Sequence, residues 1–286
     1  MSDRLFDYDA AVSLDVRTVG TRTHDDWIGT ELTYCPLPDR RRAAYVVQPT
    51  GESPHAGLLY VHWYEPAAPT SNRTEFFSEA QTMAQRGAVS LLIEAPWSDR
   101  EWFLKRTQAD DYRASIDTVI ELRRAMDLLL VQSGVDAKRV GYVGHDFGAM
   151  YGVIMGSVDP RPCCYVLMAG TPRLSDWFLY YPQLAGAARE AYVESMRDLD
   201  PIRRIASLAP APLLFQFGEE DRHVPVARAE AFFQAAGQPR QLTWYDAGHE
   251  LGERATSDRV AWVSERLDLC RPPGTNPDDE DKPVAR

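Results

Sequence analysis

Gly144-His145-Asp146-Phe147-Gly148 stands between an apolar run and a stretch with helical spacing. Two glycines around one polar residue at a strand-to-helix junction are the context of the nucleophile elbow G-x-S-x-G, here with aspartate in the serine position. The glycines permit a sharp turn that lifts the central side chain above the sheet, and the helix N-terminus beneath it favours negative charge. Alone the match is weak, because Asp often begins a helix, and a plain cap is the other reading of Asp146. Two later residues change the balance. Asp221 closes Gly218-Glu219-Glu220-Asp221, ahead of Arg222-His223-Val224-Pro225, and His249 follows Asp246-Ala247-Gly248. Nucleophile, acid, histidine is a known chain order for hydrolytic sites of this elbow type. Glu219 and Glu220 are alternatives to Asp221, which is favoured by its place before Arg-His-Val-Pro.

The elements that must position these residues alternate along the chain. Val12–Val19, Trp27–Tyr34 and Ala43–Gln48 read as strands, with Arg40-Arg41-Arg42 as a solvated charged turn. Ala56–His62, Ala88–Ile93, Arg139–Val143, Cys163–Met168, Leu213–Phe217 and Gln241–Tyr245 follow as further strands, several of them continuous apolar runs of the kind buried in parallel sheets. Between them, Thr74–Arg86, Tyr112–Gln132, Phe147–Gly156, Pro225–Ala236 and Arg254–Leu269 have helical spacing. Gly87 sits where a helix-ending glycine belongs. The alternation predicts an α/β fold with a mostly parallel central sheet flanked by helices. In such sheets sites form outside the carboxyl ends of the strands. Those ends carry His62-Trp63-Tyr64-Glu65, Glu94-Ala95-Pro96-Trp97, the Asp146 turn, Ala169-Gly170-Thr171, the Asp221 segment and His249.

The chain has 286 residues, 44% hydrophobic and 26% charged. A single large α/β domain over 1–270 fits that length, with a tail over 271–286 that reads as disordered from its Pro, Asp and Gly content. The formal net charge of −11 argues against a nucleic-acid or anionic-membrane surface. No apolar run approaches the ~20 residues of a membrane helix, and the acidic N-terminus lacks a signal-peptide core. Cys35, Cys163, Cys164 and Cys270 show no CxxC spacing, so free thiols and a cytoplasmic location are expected. The six histidines form no H-x-x-x-H pair, and no Gly-rich phosphate loop is present; no metal and no cofactor are expected.

From about Val12 to Leu269 the chain resembles the α/β-hydrolase superfamily. The resemblance rests on His62-Trp63-Tyr64, the turn at Asp146, Asp221 before Val224-Pro225, and Gly248-His249. Gly-His-Asp-Phe-Gly is similar to the elbow of haloalkane dehalogenases and soluble epoxide hydrolases. The remainder looks more like the dienelactone hydrolase branch. The resemblance implies Asp146 as nucleophile, His249 as base, Asp221 as its orienting acid, and the N–H groups of Tyr64 and Phe147 as the oxyanion hole. It implies a short lid over about 171–210, between the strand ending near Gly170 and the one starting near Leu213. Substrate contacts are expected from His62, Trp63, Glu65, Trp97, His145, Trp177, Tyr180 and Tyr181. Sheet-edge surfaces are compatible with a homodimer, although nothing in the sequence selects one.

A carboxylate is poorly suited to acyl transfer, because attack on an ester gives a reactive anhydride. It is well suited to displacement at saturated carbon, which gives an alkyl ester on the enzyme. The expectation is a cofactor-free hydrolase acting on an epoxide or similar electrophilic alkyl compound, a small molecule. Trp63 occupies a position that is usually glycine in the family. Phe147 replaces the Trp that follows the nucleophile in dehalogenases, which weakens the carbon–halide reading. A tyrosine, Tyr64 or one of Tyr180, Tyr181 and Tyr192, is the expected proton donor to a departing alkoxide. The loop Trp97–Arg113, with Arg100, Trp102, Lys105 and Arg106, is a candidate for a substrate carboxylate. Two alternatives stand beside this reading: a lactone or ester hydrolase, lyase or cyclase using Asp146 and His249 as acid–base groups, and a non-catalytic ligand binder.

Overall fold

The computed structural model describes residues 3–52, 54–68 and 73–269. The tail expected over 271–286 lies outside them. The strands are β1 (Arg17–Thr23), β2 (Trp27–Leu37), β3 (Arg40–Pro49), β4 (His55–Val61), β5 (Ala88–Ile93), β6 (Val135–His145), β7 (Cys164–Met168), β8 (Leu213–Gly218) and β9 (Arg240–Tyr245). They form one sheet in the order β1-β2-β3-β5-β4-β6-β7-β8-β9. From β5 onward every pairing is parallel, while β1, β2 and β3 join antiparallel at one edge.

The helices are α1 (Phe77–Gln85), α2 (Trp102–Lys105), α3 (Asp111–Leu130), α4 (Phe147–Gly156), α5 (Ser175–Phe178), α6 (Gly186–Met196), α7 (Val226–Ala235) and α8 (Glu253–Arg266). Helices α1 and α8 pack on one face, through Ala80, Met83, Val260 and Trp262. Helices α3, α4 and α7 pack on the other, through Val119, Met126, Met150 and Phe232. Strands β4, β5, β7 and β8, and β6 from Val140 onward, are buried on both faces, which is why they read as apolar runs. Gly87 has φ 98°, a backbone state that suits glycine, and it ends α1 as its position suggested.

Two expectations need correction. The first strand begins at Arg17, not Val12, and all seven of its residues are exposed. An edge strand is held from one side by its partner's hydrogen bonds, so its side-chain alternation carries little information. The Arg40-Arg41-Arg42 run is the start of β3, and the turn is the Pro38-Asp39 pair before it. Arg40 and Arg42 reach across to α3. Arg42 Nε donates to Glu121 at 2.9 Å, and Arg40 donates to Asp117 at 2.7 Å and to Glu121 at 3.1 Å.

Glu121 is buried and accepts from both arginines, so Glu121→Ala takes the carboxylate from Arg42 and leaves Arg40 with Asp117 alone. Breaking such a pair is expected to cost about 2 kcal/mol or more. Lys105→Ala removes only the solvent-exposed contacts to Asp99 and Glu101, and the melting temperature should stay where it is. Thermal denaturation of the two variants checks the contrast.

Candidate active site

Strand β6 delivers Asp146 into a turn with φ 53° and ψ −113°. The packing around it leaves no room for side chains. A Cβ on Gly148 would lie 2.1 Å from the Val61 carbonyl oxygen, and one on Gly144 would lie 2.5 Å from the Gly148 backbone. Asp146 stands at the start of α4, yet its side chain makes no capping hydrogen bond. The plain-cap reading therefore fails. The Tyr64 N–H approaches Asp146 Oδ2 at 3.4 Å, and the Phe147 N–H is turned to the same carboxyl. Oδ1 is buried and has no protein partner.

His249 and Asp221 come from the loops after β9 and β8. His249 Nδ1 lies 2.8 Å from Asp221 Oδ2. Asp221 Oδ1 accepts the N–H groups of His223 at 2.7 Å and Val224 at 3.0 Å. Glu219 and Glu220 make no such contact with His249. Nε2 of His249 is buried and free of protein partners. Burial pushes the Asp146 carboxyl well above its usual range, and the charges of Asp221 and Glu75 push the same way against the pull of the two N–H groups. Burial pushes Asp221 up as well, but the His249 hydrogen bond and charge and the two N–H donors hold it below the usual value. His249 is lowered, with burial outweighing its hydrogen bond to Asp221. Two carboxyls are thus driven apart, a pattern typical of sites that divide acid–base roles.

The residues expected to contact substrate divide into three groups. Trp177 and Tyr180 lie at the site. The Trp177 ring stands edge-on to His249 at 5.5 Å, packs on Phe147 at 5.8 Å and stacks with Tyr180 at 5.3 Å. Its Nε1 is buried without an acceptor. Trp63 lies flat on His145 at 5.0 Å and leans against His249 at 5.2 Å.

The second group lies beneath the site. His62 and Trp97 are core residues: His62 bonds Ser98 Oγ at 2.7 Å, and Trp97 Nε1 donates to the His62 carbonyl at 2.9 Å while stacking on Tyr151. Burial pushes His62 down to about 4. His145 is wholly buried between Glu75 and the His249 carbonyl. Each of these three rings is buried and fills the floor that carries the loops above it.

The third group is tied up at the rim. Glu65 accepts the Ala67 N–H, the Tyr64 hydroxyl donates to the Arg100 carbonyl at 2.8 Å, and Tyr181 is 52% exposed. Tyr192, in α6, donates to Asp111 at 2.5 Å. The cations of the 97–113 loop are also engaged. Arg106 lies over Phe103 and Phe178, pairs with Asp111, and donates to the carbonyls of Phe178 and Tyr181. It buckles the 171–210 segment onto α3 and does not serve an incoming carboxylate.

Two participants were not identified from sequence. Glu75 bonds both Trp63 N–H and His145, and His223 stacks on Trp177 at 5.6 Å. An acidic residue just before a helix is so common that Glu75 gave no separate signal.

No protein-family model matches the chain, and no curated protein is similar to it in sequence. Solved structures are similar in fold. Acetyl xylan esterase 1 from Thermoanaerobacterium sp. JW/SL YS485 superposes with a TM-score of 0.70 at 13% identity, covering 92% of each chain. An acetyl xylan esterase from Paenibacillus sp. R4 gives 0.71 at 16% identity, over 88% of this chain and 89% of that one. A glucuronoyl esterase from Solibacter usitatus gives 0.65 at 13%, over 91% and 88%. The chain has the α/β-hydrolase fold. In the α/β-hydrolase fold the elbow strand runs directly into a helix, and β6 and α4 meet that description at Asp146.

The buried Asp146 carboxyl sets a pH-dependent cost. Below its usual value of 3.8 it is protonated in native and unfolded chains alike, so it contributes no difference. Above that value the unfolded chain ionises freely while the native site resists, and stability falls as pH rises toward the raised native value. Asp146→Asn keeps the acceptor for the Tyr64 N–H and removes the titration. The variant should melt higher than wild type at neutral pH, with the gap closing toward about pH 4. Paired melting curves across that range measure it.

Proposed function

We propose that this protein is a cofactor-free hydrolase that attacks electrophilic alkyl substrates with Asp146 and forms a covalent alkyl–enzyme ester. One observation carries the reading: the Tyr64 N–H faces Oδ2 of Asp146 itself. In an acyl-transfer site such donors await the substrate's carbonyl oxygen. Here the tetrahedral centre they would stabilise is the one formed on the Asp146 carboxyl carbon. Oδ1 attacks saturated carbon, the bond to the leaving group breaks, and its electron pair departs with that group. His249 Nε2 then takes a proton from water, whose oxygen adds to the Asp146 carboxyl carbon, and the negative charge grows on Oδ2 beside the Tyr64 and Phe147 N–H groups. Collapse breaks the bond between the carboxyl carbon and Oδ1 and releases the alcohol, protonated from His249. The carboxyl now carries the water oxygen and its remaining hydrogen, and loss of that proton to solvent restores the carboxylate. Asp221 holds the imidazole in register and balances its charge.

The donors around Asp146 bear on the leaving group. Tyr64 and Tyr192 hydroxyls, expected to protonate an epoxide oxygen, are spent on the Arg100 carbonyl and on Asp111. Tyr180 and Tyr181 are exposed. Trp177 Nε1–H, buried without an acceptor beside His249, can hold an anion but does not release its proton. This set fits a leaving group that departs as a weakly basic anion better than it fits an alkoxide. A second reading draws on the esterase neighbours and on the upward shift at Asp146: an ester or lactone hydrolase in which His249 activates water directly and Asp146 is an acid–base group. The free thiols Cys35, Cys163 and Cys164 fit a reducing cytoplasm. Among the described residues no helix is long and apolar enough to cross a membrane.

Single turnover in ¹⁸O-water, over a panel of alkyl halides, epoxides and esters, separates the readings. The covalent route puts label into the Asp146 carboxyl, read by peptide mass spectrometry; turnover without that label favours the second reading. Asp146→Asn should lower turnover by about a thousandfold or more, the scale of losing an essential nucleophile. His249→Gln should let the ester accumulate on Asp146 as a stable mass increase.

A further inference from the structure

Glu75 lies in the turn before α1, outside the Asp146–His249–Asp221 set, and touches two of the loops that build the site. Its Oε2 accepts the Trp63 N–H at 3.0 Å, and its Oε1 meets His145 Nδ1 at 2.5 Å. On the far side of the imidazole, His145 Nε2 lies 2.9 Å from the His249 carbonyl. A carbonyl only accepts, so Nε2 carries a hydrogen. The Trp63 indole closes the circuit by lying parallel to His145, at an interplanar angle of 1°, and against the His249 ring. The side chain of Glu75 is 16% exposed and that of His145 1%, so the links are shielded from water.

The three loops come from the ends of β4, β6 and β9, far apart in sequence, and each linked residue neighbours or is a reacting group. Trp63 precedes the Tyr64 N–H, His145 precedes Asp146, and the bonded carbonyl is that of His249 itself. We propose that Glu75 is a positioning residue that, through His145, sets the spacing between the Tyr64 N–H, the Asp146 carboxyl and the His249 ring. What this spacing is for rests on the covalent reading above; the brace itself does not.

Reach, not charge, is the property that matters. Two acceptors splayed on a two-carbon stem meet donors on two different loops. A glutamine has the same reach with the donor at Nδ1 reversed. In the native pair a hydrogen lies between Oε1 and Nδ1, whereas the glutamine oxygen accepts the Trp63 N–H and its amide donates to His145 Nδ1, with the ring hydrogen kept on Nε2. An aspartate keeps the charge but is one methylene too short to hold both.

The test is Glu75→Gln against Glu75→Asp in the full-length chain, read by NMR. The signals are the exchange rate of the Tyr64 backbone amide and the downfield His249 Nδ1 proton shared with Asp221. In Glu75→Gln both should stay near wild type. In Glu75→Asp the Nδ1 proton signal should broaden or vanish, and Tyr64 should exchange about tenfold faster, the ratio one lost hydrogen bond gives. A role confined to seating α1 would change exchange within α1 and leave these two signals in place. Protection retained in Glu75→Asp, or lost in Glu75→Gln, overturns the proposal. Neither readout requires turnover, so a negative ¹⁸O result would leave the brace standing and remove only the reaction assigned to it.

Discussion

The backbone of Asp146 occupies a conformation that an L-residue keeps only when its surroundings hold it there. Such strain costs on the order of 1–3 kcal/mol, and the restraints here are all buried. The Asp146 N–H donates to the Met168 carbonyl at 2.8 Å, Tyr142 Oη donates to the Gly148 carbonyl at 2.7 Å, and Gly148 presses against Val61 at the end of β4. Strands β4, β6 and β7 and helix α4 therefore meet at one residue. Only glycine at 144 and 148 lets them approach so closely. The side chain that results points above the sheet, away from the helix N–H groups a cap would use.

Around that fixed point the site is built from loops that answer to different constraints. Asp221 is satisfied by two backbone N–H groups and an imidazole, which hold its carboxyl below the usual range against the effect of burial. Asp146 is deeper and has weaker help, so the same functional group responds to burial in the opposite direction. Asp146 Oδ1, His249 Nε2 and Trp177 Nε1 are each buried without a protein partner, and the Trp177 ring stands edge-on to His249 at 5.5 Å. Unsatisfied buried polar atoms are costly in a folded chain. Two of the residues carrying these atoms, His249 and Trp177, pack with Phe147 and Trp63 in one aromatic shell. The segment carrying Trp177 is fastened by Arg106 at its end and by the Leu174 N–H to Asp200 at its start.

Much of this was legible in the residues. The parallel strands announced themselves because burial on both faces forces continuous apolar runs, and α4 was bounded by the elbow glycine and the apolar helix that follows. The order Asp146, Asp221, His249 located the three strand ends that converge. The edge was harder: β1 is exposed along its whole length, so no alternation constrains it, and the Arg40–Arg42 run looked like a solvated turn because its partners lie on α3. Tyrosine roles were not legible either. A phenol's neighbours decide whether its hydroxyl is free, and those of Tyr64 and Tyr192 are the Arg100 carbonyl and the Asp111 carboxylate at the start of α3, both distant in the chain.

The sequence by itself determined the layering, the strand ends that meet, and the presence of an aspartate on a turn that glycines alone permit, because these depend on local periodicity and on the steric limits of single residues. Only the tertiary structure decided that the Asp146 side chain caps nothing, that its Oδ2 faces the Tyr64 N–H, that His62, Trp97 and His145 form the floor, and that Glu75 joins the loops. Those facts depend on distances between segments remote in sequence. Such distances are set by the packing of the whole core, and no local pattern encodes them.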